Sequence, residues 1–253
     1  MSRPVSPIVV IPARLGATRL PDKPLADIHG APMIAHVWRR AMDAAVGPVV
    51  VACGEEVIAD AVRQAGGEAI LTRPDHASGS DRIFEAVETV DPENRYDTVI
   101  NLQGDLPTIA PEIIRAVLTP LAELAVDIAT LAAPISDPAE RSDPNVVKAV
   151  VDFTGRQIAR ALYFSRAPVP WDGGDAARPL YHHIGLYAFR REALRRFVAL
   201  PPSPLEKRER LEQLRALEAG MRIDVALVDT IPLGVDTPAD LARARTLLAP
   251  TSR

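Results

Sequence analysis

The first hundred residues alternate short apolar runs with segments of helix length, and this alternation limits the possible folds more than any other feature. The runs lie at 8–11, 49–52, 68–71 and 97–102, and most of them are rich in valine and isoleucine. β-Branched residues suit the pleated, buried surface of a strand. Strands joined by helix-length segments make right-handed crossovers and pair in parallel. The pattern therefore predicts an α/β fold with a mostly parallel open sheet and helices on both faces.

Asp105 comes directly after the fourth run, where Gly104 and Pro107 end the strand. In an open α/β sheet, ligands bind at the carboxyl ends of the strands. A carboxylate held there by a tight turn is a candidate ligand for a metal ion. Aspartate is also common in turns for local hydrogen-bonding reasons, so this stretch alone is equally compatible with a turn cap.

Two polar loops follow strands of the predicted sheet. The loop 13–25 carries Arg14, Arg19 and Lys23, which together with free backbone amides could neutralise a triphosphate. It is neither a P-loop nor a dinucleotide fingerprint, and the alternative is a solvated basic loop. The loop 72–82 is rich in serine, glycine and arginine and suits hydrogen bonds to a planar ring edge. Its alternative reading is structural, with Ser80 or Asp81 acting only as a helix cap.

Asp236 precedes a helix that has its own cap. Thr237, Pro238 and Asp240 form a capping-box-like start, so the Asp236 carboxylate is free to face elsewhere, for instance toward Asp105. Magnesium sites seldom use more than one or two protein carboxylates and complete their shell with phosphate oxygens. The two aspartates therefore predict a magnesium site.

The segment 136–190 departs from the alternating pattern. Strands predicted at 146–152, 161–164 and 185–189 have no helix-length hydrophobic patterns between them, so they should be antiparallel or mixed additions at the edge of the sheet. Such an appendage often makes a dimer contact. A helix is predicted at 205–219, with Glu212 and Gln213 flanking its apolar face. One domain is expected to span 1–253.

Composition excludes several classes of function. The formal net charge is −4 with no polybasic run, so neither nucleic acid nor a membrane is an expected partner. The single cysteine, Cys53, excludes an internal disulfide and a CxxC zinc site. His182 and His183 lack the spacing of a zinc motif, which favours a hydrogen-bonding role. No leader peptide is recognisable, so a cytoplasmic enzyme is expected.

Several stretches, in order along essentially the whole chain, resemble the 3-deoxy-D-manno-octulosonate (Kdo) cytidylyltransferases. They include Ile11-Pro12-Ala13-Arg14, Thr18-Arg19-Leu20-Pro21, Lys23-Pro24-Leu25, Thr72-Arg73, Asp75-His76, Ser78-Gly79, Gln103-Gly104-Asp105, Tyr163-Phe164-Ser165-Arg166, His183-Ile184-Gly185-Leu186-Tyr187, Leu211-Glu212-Gln213 and Gly234-Val235-Asp236-Thr237-Pro238.

The resemblance implies a fold like that of the nucleotide-diphospho-sugar transferases and a Mg²⁺-dependent homodimer that makes CMP-Kdo and pyrophosphate from CTP and Kdo for lipopolysaccharide synthesis. It implies catalytic roles for Lys23, Asp105, Asp236 and Arg14, and a metal site of Asp105 and Asp236. The implied nucleotide contacts are Arg14, Lys23, Arg73, Ser78, Gly79 and Asp105. The implied sugar pocket consists of Gln103, Arg166, His183, Tyr187, Glu212 and Gln213.

The chain also departs from the family pattern. Ala17 stands where Ser is frequent, Asp22 where Gly is frequent, Cys53-Gly54 where Thr-Asp is common, and Leu106 where Glu is common. These departures affect the fine contacts of the first loop and strand. Two alternatives stay open: a cytidylyltransferase for an 8-amino-Kdo analogue or another acidic sugar, and a nucleotide-binding protein on this scaffold without catalysis.

Overall fold

The computed structural model describes residues 6–16, 19–171 and 179–249. The described backbone packs into two compact units. The N-terminal unit holds residues 6–115 and 232–249, and the central unit holds 116–231. The organisation of 1–253 as one domain stays a prediction.

The strands in chain order are β1 (Pro7–Ala13), β2 (Asp27–Ile28), β3 (Ala31–Pro32), β4 (Val49–Cys53), β5 (Glu68–Leu71), β6 (Thr98–Asn101), β7 (Ile128–Pro134), β8 (Lys148–Val151), β9 (Ile158–Ser165), β10 (Tyr181–Arg190) and β11 (Ile223–Leu227). The α-helices are α1 (Met33–Ala44), α2 (Glu56–Gln64), α3 (Gly79–Val90), α4 (Pro111–Ala116), α5 (Pro138–Ser142), α6 (Arg191–Ala199), α7 (Pro204–Glu209), α8 (Leu214–Glu218) and α9 (Pro238–Leu247). Two short 3-10 turns lie at Lys23–Leu25 and Thr119–Ala122.

The N-terminal unit is built on four parallel strands in the order β5-β4-β1-β6. Val9, Val10 and Ile11 of β1 are fully buried, as expected for a central strand of branched residues. Hydrogen bonds continue past the strands, with the amide of Leu102 donating to the carbonyl of Val10. The segments that follow β1, β4 and β6 therefore leave the sheet at the same edge.

The central unit is a mixed sheet. β7 pairs in parallel with β11, whereas β10 is antiparallel to β7 and β8, and β9 is antiparallel to β11 and β8. The ladder between β10 and β7 is irregular between Ile184 and Tyr187. Bulges of this kind re-aim side chains, and here the irregularity separates His183 from Tyr187 along β10.

Several predicted elements differ from the observed ones. The single helix predicted at 205–219 is wrong: α7 ends because Arg210 adopts a left-handed conformation, with a φ of 56°, in which a right-handed helix cannot continue. After α4 the chain continues into a 3-10 turn that contains Pro120. The strands predicted at 161–164 and 185–189 are longer, as β9 and β10. No helix of the described residues is long and apolar enough to cross a membrane.

Candidate active site

A cavity of about 300 Å³ lies in the N-terminal unit, at the edge where β1 and β6 end. Its wall includes six of the residues that the sequence singled out: Arg14, Lys23, Ser78, Gly79, Gln103 and Asp105. The remaining lining residues are Pro12, Ala13, Gly16, Pro24, His76, Arg82 and Gly104. Ala17, one of the departures from the family pattern, is outside the described residues.

Lys23 joins the two predicted metal ligands. Its Nζ donates to Asp105 Oδ2 at 2.8 Å and to Asp236 Oδ1 at 3.0 Å. The turns carrying the aspartates are tied together, since the amide of Val235 donates to the carbonyl of Asp105 at 2.9 Å. Burial would lower the pKa of Lys23, but the two carboxylates outweigh it and the pKa is raised, so the side chain is charged at neutral pH.

The carboxylate of Asp236 does not cap the following helix, as the sequence predicts. Thr237 caps α9, with Asp240 completing a capping box. Asp236 Oδ2 instead accepts a hydrogen bond from Arg19 at 3.0 Å, while Oδ1 faces Lys23. Asp105, Asp236, Lys23 and Arg19 thus form one cluster, which we call the acidic pair and its cations.

The acidic pair fits a magnesium ion that shares its coordination with phosphate oxygens. The described residues contain no group of three or more His, Cys, Asp or Glu side chains suited to a metal. Asp105 and Asp236 nevertheless both contact the ammonium group of Lys23. Two carboxylates are the number that a magnesium site usually takes from the protein. The metal role of Asp105 and Asp236 stays a prediction.

Asp22 explains one departure from the family pattern. It immediately precedes the Lys23 turn with φ 52°, in the left-handed region that glycine enters without steric cost. Aspartate tolerates this region better than most residues. The turn that presents Lys23 can therefore form in this chain despite the replaced glycine.

Gly104 lets the Asp105 turn approach the end of β1. A Cβ added there would lie 2.8 Å from the carbonyl oxygen of Pro12, a backbone atom that cannot turn aside. We expect Gly104→Ala to lower the free energy of unfolding by about 1–3 kcal/mol through overpacking. We also expect a loss of turnover of up to about 10²-fold, because Asp105 is displaced.

Thermal melts and steady-state rates would test this effect of Gly104→Ala. The control for stability is Gly185→Ala, since a Cβ at Gly185 would meet no atom within 4 Å. A Gly104→Ala protein that melts and turns over like the wild type would show that the close approach has no importance.

The loop 72–82 reaches the cavity through the start of α3. Ser78 is the residue that caps this helix, not Ser80 or Asp81, although Asp81 completes the capping box, and Ser78 lines the cavity as well. Arg73 is placed differently from the other predicted nucleotide contacts. Its side chain is 69% exposed, lies near Asp75 and Glu85, and is absent from the cavity wall.

Sequence reasoning missed two residues of the cavity wall, His76 and Arg82. His76 Nε2 makes a close contact with Glu85 Oε2, and its side chain is nearly buried. The motif Asp75-His76 carried part of the family resemblance, so this residue could have been found. Arg82 is one of the two arginines of the loop 72–82, but it was not singled out, because an arginine in the first turn of a helix usually faces solvent.

In the central unit, His183 is a buried, neutral group. Its Nε2 is 3.0 Å from Thr130 Oγ1, and its ring packs against Phe164 and Tyr187 with centroids 4.7 and 5.5 Å away. Burial lowers the pKa of His183 to about 3. Burial also raises the pKa of Tyr187. Both side chains are uncharged near pH 7 and available for neutral hydrogen bonds.

Arg166 ties two loops of the central unit together. Its Nε donates to the carbonyl of Glu209 and one Nη to that of Pro144, each at 2.8 Å, and the other Nη reaches the carbonyl of Arg210 at 3.4 Å. Its backbone amide donates to the Glu209 carboxylate. The predicted sugar ligand therefore has contacts within the protein as well.

Gln213 has an unused donor. The residue is 7% exposed, and its Nε2 is buried with no hydrogen-bond partner among the described residues. A buried amide without an acceptor is costly. Its neighbour Glu212 belongs, like Gln213, to the stretch before α8. Gln103, the remaining predicted sugar contact, belongs to the N-terminal unit.

Comparisons with known proteins found relatives that extend over nearly the whole chain. A cytidylyltransferase family model matches residues 8–223. A 3-deoxy-manno-octulosonate cytidylyltransferase of Paramagnetospirillum magneticum is 65% identical over 96% of this chain and 98% of its own length. Another of that description, from Rhodospirillum centenum, is 66% identical over 98% of this chain and 95% of its own.

A solved structure described as CMP:2-keto-3-deoxy-manno-octonic acid synthetase complexed with CTP is 43% identical to this chain. The match has a TM-score of 0.88 and covers 96% of this chain and 98% of the other. The relatives thus extend over nearly the whole length, including both units. This chain belongs to the 3-deoxy-manno-octulosonate cytidylyltransferase family.

Proposed function

We propose that the protein transfers CMP from CTP to the anomeric hydroxyl of Kdo, giving CMP-Kdo and pyrophosphate for lipopolysaccharide synthesis. One observation carries the proposal: Lys23 lies in a cavity at the ends of parallel strands, with two carboxylates on its ammonium group. A triphosphate needs both the cations of the loop 13–25 and carboxylates for its metal ion. Family membership supports the same reaction.

In this mechanism, Arg14 and Lys23 bind the triphosphate and neutralise its charge. Arg14 does so through bidentate hydrogen bonds from its planar guanidinium, and Lys23 through the compact charge of its ammonium group. Asp105 and Asp236 would hold Mg²⁺, which supplies charge stabilisation at the phosphates. The anomeric hydroxyl attacks the α-phosphorus in line, and pyrophosphate leaves. Positioning and charge neutralisation carry most reactions of this kind.

The proposed transfer has no covalent intermediate on the protein. Cys53 is the single cysteine of the chain and is fully buried. Burial raises the pKa of its thiol to about 12. A thiol that stays protonated and inaccessible is a poor nucleophile, which agrees with direct attack of the sugar on CTP.

The acidic sugar is proposed to contact Gln103, Arg166, His183, Tyr187, Glu212 and Gln213. The unpaired Nε2 of Gln213 and the neutral His183 and Tyr187 suit the hydroxyls of a sugar, which both donate and accept hydrogen bonds. Arg166 has N–H donors in a planar fork suited to a carboxylate.

Arg166→Ala should raise the apparent KM for Kdo while CTP binding, measured by calorimetry, stays near the wild-type value. The reason is that the change removes the fork for the sugar carboxylate and leaves the cations of the N-terminal unit in place. Arg208, which is exposed on α7, supplies the control Arg208→Ala. A lower melting temperature together with equal losses for both substrates would assign Arg166 to holding the loops at Pro144 and Glu209.

A homodimer and a cytoplasmic location belong to the same proposal. The segment 136–190 exposes large apolar side chains, with Leu162 of β9 65% exposed and Trp171 90% exposed. Exposed large apolar side chains are found at protein interfaces. Sedimentation of the purified protein would reveal whether it associates.

The central experiment is pyrophosphate release from each of CTP, UTP, ATP and GTP, with and without Kdo and with and without Mg²⁺. Release confined to CTP, Kdo and Mg²⁺ together is the expected result. Substituting 8-amino-Kdo for Kdo separates the two sugar substrates by their rates. CTP binding without release with either sugar would contradict the proposed activity and leave a nucleotide-binding protein.

A further inference from the structure

Arg82 is a buried cation that forms no direct ion pair among the described residues, although the carboxylates of Glu55 and Glu85 are near enough to stabilise its charge. It lies in the first turn of α3, is 2% exposed and forms part of the cavity wall. Its hydrogen-bond partners among the described residues are neutral: one Nη donates to Thr72 Oγ1 and the other to the carbonyl of Pro74 at 3.5 Å. A buried arginine is ordinarily paired with a carboxylate.

The guanidinium also has donors to spare. It carries five N–H groups, of which these two contacts use two. The guanidinium packs closely against Gly54, since a Cβ there would lie 3.1 Å from one Nη and 3.3 Å from the other, so the glycine leaves it room. Buried donors without acceptors are costly, and an acceptor-rich ligand in the cavity would satisfy them.

The position of Arg82 favours the base of the nucleotide over its phosphates. The exposed Arg14, together with Lys23 beside the acidic pair, provides the cations for the triphosphate end of the nucleotide. Arg82 is instead deep in the wall, beside Ser78 and Gly79 of the loop 72–82. A flat, uncharged ring loses less hydration than a triphosphate when it enters such a closed region.

We propose that the Arg82 guanidinium recognises cytosine by donating hydrogen bonds to O2 and N3 of the ring. This inference rests on the proposed function and names a specificity-determining residue for it. In cytosine both atoms accept hydrogen bonds, which matches the fork of the guanidinium. In uracil, N3 carries a hydrogen that would face a donor, so the same contact selects against UTP.

The test compares Arg82→Lys and Arg82→Gln with wild type by calorimetry, using cytidine, uridine, CTP, UTP and inorganic tripolyphosphate. We expect binding of cytidine and CTP to weaken about 10- to 100-fold, the loss typical of hydrogen bonds from a charged group. The preference for CTP over UTP should shrink, and tripolyphosphate binding should stay unchanged. Arg115→Gln, the same change on α4 outside the cavity wall, is the control.

Loss of tripolyphosphate affinity with unchanged cytidine affinity would overturn the inference and make Arg82 a phosphate ligand. Unchanged selectivity between CTP and UTP would overturn it as well. If neither variant folds, NMR of the wild-type protein labelled with ¹⁵N-arginine tests the contact instead. The side-chain signals of Arg82 should shift when cytidine is added and stay unchanged when tripolyphosphate is added, and the reverse pattern would overturn the inference. A wild-type protein that binds no CTP would instead refute the proposed function itself.

Discussion

Asp105→Asn and Asp236→Asn should each lower turnover about 10²- to 10³-fold while the protein stays folded. The magnitude is that of deleting a preorganised electrostatic group at a phosphoryl transition state. Folding should be retained because asparagine is isosteric and its side-chain oxygen can still accept a hydrogen bond from Lys23, and because Thr237 caps α9.

The double variant distinguishes a shared ion from two separate aspartates. If both carboxylates serve one ion, Asp105→Asn with Asp236→Asn should be little worse than either change alone, since effects within one unit are strongly non-additive. Two independent turn-capping residues would instead cost about 1 kcal/mol of stability each and leave turnover near normal. The exposed Asp60 of α2 supplies the control Asp60→Asn.

The measurements are thermal stability and turnover as a function of Mg²⁺ concentration for both single variants and the double variant. Lower apparent affinity for Mg²⁺ in each single variant is the result that the shared site requires. Normal turnover in either single variant would refute the site.

Lys23→Ala should lower kcat/KM for CTP about 10²- to 10³-fold and affect the use of Kdo far less. The side chain is 16% exposed and its charge is fixed at the cavity, so its removal takes away a preorganised partner of the triphosphate. It also leaves the carboxylates of Asp105 and Asp236 without their common ammonium group.

Initial rates with each substrate varied in turn, together with CTP calorimetry, measure this preference. Lys207→Ala is a matched control, because Lys207 is exposed on α7. Equal losses for CTP and Kdo would contradict a role confined to the nucleotide.

The pKa of Lys23 is raised above its ordinary value, so its charge is complete below that value and is lost only in strongly alkaline solution. No loss of CTP binding through deprotonation of Lys23 is therefore expected between about pH 6 and about pH 8.

Local patterns in the sequence predicted the parts of the site that depend on local chemistry. The capping box at Thr237 and Asp240 indicated that Asp236 was free, and the glycine turn after β6 indicated where Asp105 would lie. Apolar β-branched runs predicted the four parallel strands of the N-terminal unit, but not the short pair β2 and β3. These inferences succeed because caps, turns and buried strands depend on residues close together in the chain.

Features that depend on tertiary contacts could not be predicted in this way. Arg82 occupies the kind of helix position that usually faces solvent, and its burial depends on packing near Thr72 and Gly54. Arg210 has no sequence signal for the left-handed conformation that separates α7 from α8, since that role usually falls to glycine. The exposed position of Arg73 is likewise decided by the fold around Glu85.

The acidic pair and its cations form an electroneutral set. Two carboxylates face two cationic side chains, and Lys23 and Arg19 serve as counter-ions built into the chain. The aspartates therefore need no metal ion for electrical balance in the absence of nucleotide, and a divalent ion arriving alone must compete with a resident ammonium group. A triphosphate brings the negative charge to which Lys23 can transfer its hydrogen bonds. The affinity of this site for a divalent ion is consequently linked to the presence of the nucleotide, through charge balance alone.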